Sequence, residues 1–147
     1  PISYQTLSDC EENGSPIKGT ARILLVEDEL SIRESIQEIL KKLGYSVIAC
    51  NDGKSGLKAF TDNWQEIDVV ITDINMPGMN GYEVFKQMKQ INENVKVIFM
   101  SGYSTSPEIQ ELLHQDNVCF IKKPINMVQL TKKILEITEK REKMLKK

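Results

Sequence analysis

Histidine and cysteine are scarce in this chain of 147 residues, which has one histidine and three cysteines. With His114 as the single histidine, chemistry that needs two or three histidines is excluded. The cysteines (Cys10, Cys50 and Cys119) are odd in number, lie far apart and form no CxxC pair. This spacing argues against a disulfide framework or a zinc site, and it predicts a reducing, cytoplasmic setting.

Long apolar runs and a strong excess of basic charge are also absent. No stretch approaches the roughly 20 apolar residues of a membrane-spanning helix, and the N-terminus lacks the basic and apolar regions of a signal peptide. The formal net charge is −2. We therefore expect contact neither with a membrane nor with the phosphate backbone of a nucleic acid.

The first 20 residues differ in composition from the rest of the chain. Ser, Gly, Asn and acidic residues dominate there without sustained periodicity, which is typical of a linker. We predict a linker or tail over 1–20, one domain over 21–140, and the end of the last helix or a tail over 141–147. Because the chain begins with Pro1 and not with Met, we expect it to be part of a longer protein.

Short apolar segments alternate with amphipathic helical segments from residue 21 onward. This alternation predicts five βα units, and hence a parallel sheet with helices on both faces. In the first helical segment, Ser31 and Glu34 match a capping box. The predicted strands are RILLV (22–26), SVIAC (46–50), IDVVIT (67–72), KVIFM (96–100) and VCFI (118–121).

Reactive side chains follow four of these strands, and the carboxyl ends of parallel strands meet at one edge of a sheet. Glu27 and Asp28 follow the first strand, Asp73 the third, Ser101 the fourth and Lys123 the fifth. Clustered carboxylates repel one another unless a cation lies among them, and Mg²⁺ prefers oxygen ligands. The set therefore predicts Mg²⁺-assisted transfer of a phosphoryl group to an aspartate, with the lysine and hydroxyl stabilising phosphoryl oxygens.

The stretches that carry these residues resemble the receiver domains of two-component response regulators, over about residues 22–137. The resemblance implies a flavodoxin-like, doubly wound α/β fold of five βα units with strand order 2-1-3-4-5. The matching stretches are ILLVEDE (23–29), VVITDINMPGMNGYEVF (69–85), VIFMSGYS (97–104) and FIKKPIN (120–126).

The resemblance implies a role for each acidic residue. Asp73 would be the phosphoacceptor and a metal ligand. Asp28 would bind Mg²⁺ directly, or Mn²⁺ in its place, and Glu27 would be the neighbouring acid that reaches the metal through water. Asn75 would offer its backbone carbonyl to the metal, and its side chain would modulate access of water.

Further roles concern the residues around the phosphoryl group. The resemblance makes Ser101 the switch hydroxyl, Lys123 the partner of the phosphoryl group, and Phe120 the aromatic switch residue. Tyr103 would modulate access of water. The Lys123–Pro124 bond is expected to be cis. Because Phe120 lacks the hydroxyl of tyrosine, switching would depend on packing of its ring.

The implied function is a phosphorelay switch. A histidine kinase or a histidine phosphotransfer protein would supply the phosphoryl group, and Asp73 would receive it. The surface of the fourth helix, fifth strand and fifth helix would then change, and a homodimer could form through that surface. The domain would catalyse its own phosphorylation and dephosphorylation, so its classification as an enzyme stays open.

The linker-like start favours the C-terminal receiver of a hybrid sensor histidine kinase, whose kinase part could be membrane-anchored. A stand-alone receiver, or one from a larger response regulator, is the alternative. Two other functions stay open: a degenerate receiver that acts only as an interaction module, and a phosphatase of the haloacid-dehalogenase type. The latter is disfavoured because Asp73 follows the third strand and Asn75 stands two positions later.

Overall fold

The computed structural model describes residues 15–102, 111–112, 115 and 117–146, with only the backbone described over 140–146. Strands and helices alternate along the chain, as the sequence predicts. The strands are β1 (Arg22–Val26), β2 (Ser46–Cys50), β3 (Val69–Asp73), β4 (Val97–Ser101) and β5 (Val118–Lys122). The helices are α1 (Leu30–Lys42), α2 (Gly53–Asn63), α3 (Gly81–Ile91) and α4 (Met127–Lys146).

All five strands are parallel and lie in the order β2-β1-β3-β4-β5. The predicted fold class and strand order are confirmed. β1 and β3 are neighbours in the sheet, and the strand order reverses between them, so the residues at their carboxyl ends lie beside the topological switch point.

The core forms two layers, one on each face of the sheet. Alternate residues of β1 point to opposite faces, so that Ile23 packs with α1 and α4 while Leu24 packs with α2 and α3. β3 and β4 are buried at every position, as expected for central parallel strands covered by helices on both faces. The carboxyl edge is therefore built on a rigid, water-excluding sheet.

Several boundaries differ from the sequence prediction, including the end of β5, which lies at Lys122 and not at Ile121. β3 runs over Val69–Asp73 and not over 67–72, because the 3₁₀ turn Trp64–Glu66 continues into a hydrogen bond from the Ile67 amide to the Trp64 carbonyl. β4 likewise ends on Ser101. The capping box at Ser31 is wrong, because α1 begins at Leu30 and places Ser31 within the first turn.

The fourth predicted helix, which the sequence opens at Ser106–Pro107 and which contains Ile109, Leu112 and Leu113, falls mostly outside the described residues. Of its residues that are described, Glu111 and Leu112 are helical. In the part of the chain that is described, no helix combines the length and apolar character required to cross a bilayer. The Lys123–Pro124 peptide bond is cis, as the resemblance implies.

Residues 15–20, the described part of the predicted linker, contact the domain. The Ile17 amide donates to Thr131 Oγ1 on α4 at 2.9 Å, and the Tyr45 hydroxyl donates to the Ile17 carbonyl at 2.8 Å. The Gly19 amide donates to the Leu43 carbonyl at 3.1 Å. This segment thus joins α4 to the connection between α1 and β2, while the domain boundaries themselves stay a prediction.

Candidate functional site

Two acidic residues and one lysine meet at the carboxyl edge of the sheet. Glu27 directly follows β1, Asp73 ends β3, and Lys123 follows β5. Lys123 Nζ lies 2.7 Å from Asp73 Oδ2 and 3.2 Å from Glu27 Oε1. The fold therefore places the positively charged Lys123 side chain between two acidic residues that are far apart in sequence.

Each of the two acids has its other oxygen bound by a backbone amide two residues later. Asp73 Oδ1 accepts from the Asn75 amide at 3.0 Å, and Glu27 Oε2 accepts from the Glu29 amide at 3.0 Å. The amides thus fix both carboxylates against the ends of their strands and leave the second oxygen of each facing Lys123.

Burial shifts the pKa values of the charged groups at this site. Glu27 is fully buried and Asp73 is 4% exposed. Burial raises the pKa of Glu27, and the Asp73 charge adds to this, against the opposing effects of the Glu29 amide and Lys123. Burial alone would lower the pKa of Lys123, but its hydrogen bond to Asp73 and the two acidic charges outweigh this and raise it.

The acidic groups fit a hard divalent cation. Carboxylate oxygens of Glu27, Asp28 and Asp73 lie within 4.8 Å of one another, and Asp28 is exposed to solvent. Glu27 Oε1 is buried and makes no hydrogen bond, although the Lys123 ammonium lies beside it. Three carboxylates thus lie together, two of them paired with Lys123, and an oxygen without a hydrogen bond is available as a ligand for Mg²⁺ or Mn²⁺.

Of the other residues singled out from the sequence, Ser101 lies at this edge and Phe120 lies within β5. Ser101 is buried at the end of β4, and its carbonyl accepts from the Lys123 amide at 2.8 Å. Phe120 is half-buried on β5, where its ring stacks on Phe99 with centroids 5.4 Å apart. Tyr103 lies outside the described residues.

Two further contacts support the ends of β1 and β3 at the site. The Gly81 amide donates to the Ile74 carbonyl at 2.9 Å, and a Cβ on Gly81 would lie 2.5 Å from the carbonyl oxygen of Asp73. Arg33, on the first turn of α1, donates from Nη1 to the Glu27 carbonyl at 2.9 Å. The sequence offers only the spacing of six residues between Glu27 and Arg33 as a hint.

The model of the response regulator receiver domain family matches residues 23–135. The chain belongs to this family. Its site residues therefore lie in a receiver of the two-component systems, consistent with a phosphoacceptor role.

Two curated relatives indicate the settings in which similar receivers occur. The sensor kinase CckA of Brucella abortus (strain 2308) is 30% identical over 131 residues, which cover 89% of this chain but 14% of the kinase. Sporulation initiation phosphotransferase F of Bacillus subtilis (strain 168) is 33% identical over 109 residues, which cover 74% of this chain and 86% of that protein. The receiver thus spans a small part of one relative and most of the other.

Solved structures agree with this fold. A response regulator receiver domain protein from Clostridium thermocellum has a TM-score of 0.75 and 29% identity, covering 85% of this chain and 98% of that protein. The receiver domain of the hybrid histidine kinase CckA has a TM-score of 0.70 and 30% identity, covering 80% of this chain and 99% of that domain.

Proposed function

We propose that this receiver accepts a phosphoryl group on Asp73 from a phosphohistidine donor, a histidine kinase or a histidine phosphotransfer protein. The observation that carries the proposal is the contact of Lys123 Nζ with Asp73 Oδ2 at 2.7 Å beside the buried Glu27. The Asp73 oxygen attacks phosphorus, the bond between phosphorus and nitrogen breaks, and the histidine nitrogen leaves with the electron pair.

The residues around Asp73 have separate tasks in this transfer. The Asn75 amide holds Asp73 Oδ1, so that the Oδ2 atom is the oxygen that faces the incoming group. The Lys123 ammonium interacts with the phosphoryl oxygens and stabilises the negative charge that develops on them. The Ser101 hydroxyl, on the strand end next to Lys123, donates to the same oxygens.

Glu27, Asp28 and Asp73, with the Asn75 carbonyl, would hold Mg²⁺ or Mn²⁺. When bound, the ion neutralises the carboxylates and the phosphoryl oxygens, so that the anionic donor can approach. The buried Glu27 Oε1 atom, which makes no hydrogen bond, supports this assignment.

The experiment is labelling from acetyl phosphate and Mg²⁺ in the purified receiver. We expect Asp73→Asn to lose the label, because an amide cannot form the acyl phosphate. Asp62→Asn is the matched control, since Asp62 is exposed and pairs only with Lys58 on the surface of α2. Equal labelling of Asp73→Asn and wild type would contradict the proposal.

A receiver that acts without phosphorylation is the competing function. Fluoroberyllate with Mg²⁺ separates the two, because it imitates the phosphoryl group at an intact site. We expect Mg²⁺-dependent binding of fluoroberyllate. Its absence in a folded protein would favour a degenerate receiver that binds partners through its surface alone.

The proposed switch moves Ser101 and the Phe120 ring, and changes the face formed by the fourth predicted helix, β5 and α4. This face is also the proposed homodimer surface. The stacking of Phe120 on Phe99 supports a packing-based switch, because the ring has no hydroxyl. Sedimentation of the receiver with and without fluoroberyllate tests whether dimerisation depends on the phosphorylated state.

We further propose a cytoplasmic location and an origin as the C-terminal receiver of a hybrid sensor histidine kinase. The similarity to the sensor kinase CckA supports this origin. The coverage of 86% of sporulation initiation phosphotransferase F supports the alternative of a stand-alone receiver. The coding sequence upstream of Pro1 decides between them, since a kinase would have a glycine-rich ATP-binding segment there.

A further inference from the structure

The main chain of Glu27 is held on both sides by groups outside its own strand. β1 ends at Val26, yet the Glu27 amide still donates to the Cys50 carbonyl of β2 at 3.1 Å. The Glu27 carbonyl lies beyond the last paired residue of β1 and accepts the Arg33 Nη1 hydrogen bond. A carbonyl in this fully buried residue would otherwise need another donor.

Arg33 closes the turn between β1 and α1 in two ways. Its amide donates to the Glu29 carbonyl at 3.0 Å, which forms the first turn of α1, and its guanidinium reaches back to the Glu27 carbonyl. The turn that contains Glu27 and Asp28 is therefore fixed from the helix side. Backbone position in this turn determines where both carboxylates lie.

We propose that Arg33 is a positioning residue that preorganises Glu27 and Asp28 for the divalent cation. The inference rests on the proposed function, because it assigns the cation to those acids. Arg33 acts through the Glu27 carbonyl and not by binding the cation. Supporting groups of this kind typically change metal affinity about 10–100-fold when they are removed.

The sign of the effect distinguishes positioning from simple electrostatics. A guanidinium next to an acidic site repels a divalent cation, so removal of its charge alone would tighten cation binding. Removal of a positioning hydrogen bond weakens cation binding, because the acids must then be ordered when the ion binds. The two roles therefore predict changes in opposite directions.

The test measures Mn²⁺ binding by electron paramagnetic resonance of the free ion, with Mg²⁺ in competition. We expect Arg33→Ala to bind Mn²⁺ about tenfold more weakly than wild type. Arg33→Lys keeps the charge and one possible donor, so its affinity should fall between the two. Lys42→Ala is the control: it removes one exposed positive charge from the last turn of the same helix and should leave the affinity unchanged.

Labelling from acetyl phosphate at increasing Mg²⁺ gives a second readout. Arg33→Ala should need more Mg²⁺ for half-maximal labelling but reach the wild-type rate at saturation, a pattern that general loss of folding would not produce. If Arg33→Ala does not fold, Arg33→Lys is compared with wild type in the same assays.

Unchanged or tighter Mn²⁺ binding by Arg33→Ala would overturn the inference. If Arg33→Ala does not fold, the inference is overturned when Arg33→Lys binds Mn²⁺ with wild-type affinity and needs no more Mg²⁺ than wild type for half-maximal labelling. Failure of the wild type itself to bind Mn²⁺ would instead contradict the proposed function.

Discussion

Glu27 is the residue that gives the site its pH dependence. Burial, together with the Asp73 charge, raises the pKa of Glu27 above its ordinary 4.5. A carboxyl with a higher pKa in the folded than in the unfolded state binds its proton more tightly when folded. The contribution of Glu27 to stability is therefore greatest below pH 4.5 and falls as the pH rises through its raised folded pKa.

Glu27→Gln should remove this dependence. Without divalent ions, we expect the free energy of unfolding of Glu27→Gln to rise relative to that of wild type as the pH increases from 4.5 to 7. Urea denaturation in the presence of a chelator at both pH values measures the difference. Glu29→Gln is the control, because that side chain is exposed. A constant difference between Glu27→Gln and wild type at the two pH values would contradict the assigned pKa direction.

At the scale of elements, the start of α3 is fitted closely to the end of β3. The capping box of Asn80 and Glu83 fixes where α3 begins, and Gly81 then lies against the backbone of Asp73 and Ile74. Because the neighbouring atoms are main chain, they cannot move aside as a flexible side chain would. The end of β3 and the start of α3 are therefore in direct backbone contact.

Gly81→Ala should destabilise the fold by about 1–3 kcal/mol, as overpacking against a rigid neighbour does. Gly102→Ala is the matched control, since a Cβ there meets none of the described residues within 4 Å, and its effect should be about 0.5 kcal/mol or less. Thermal or urea denaturation measures both. Equal stability of the two variants would show that the end of β3 can adjust.

The elements themselves were predictable because each contains its own periodic signal. β1 and β2 agree with the prediction residue for residue, since both are apolar runs bounded by polar residues. The start of β3 was not predictable from the sequence, because Ile67 is apolar but belongs to the exit from a 3₁₀ turn. The start of α1 was missed because Glu29 occupies the N-cap without a side-chain hydrogen bond, so no motif marks it.

At the scale of the whole molecule, residues 15–20 link regions that are distant in sequence. Thr131 is fully buried, and its hydroxyl accepts from the Ile17 amide while it also lies 2.9 Å from the Met127 carbonyl. Tyr45 is 5% exposed and depends on Ile17 for the partner of its hydroxyl. Loss of either contact leaves a buried polar group without that partner.

Thr131→Val and Tyr45→Phe should each cost about 1–2 kcal/mol in the free energy of unfolding. Because both act on the same segment, the double variant should cost less than the sum. Thr138→Val is the control, as its hydroxyl bonds within α4 alone. Full additivity in urea denaturation would mean that the segment does not couple the two positions.

The contacts that could not be predicted from the sequence are those between distant positions that no motif marks. The meeting of Glu27, Asp73 and Lys123 was predictable, because parallel strands bring their carboxyl ends together whatever the loops contain. The bond between Ile17 and Thr131 was not, because the two residues are 114 positions apart and neither belongs to a motif. A pattern along the chain reports which face a residue occupies, but not which partner it finds.

The aromatic rings behind β4 and β5 offer a way to observe the proposed switch. Phe99 meets Phe120 in a stacked pair and Phe85 in an edge-on pair with centroids 5.7 Å apart, so one buried ring contacts both α3 and β5. Of the four phenylalanines in the chain, Phe60 lies on α2 and outside this set. Uniform labelling with fluorinated phenylalanine would therefore produce three reporter signals and one internal reference in a single fluorine spectrum, without any added probe.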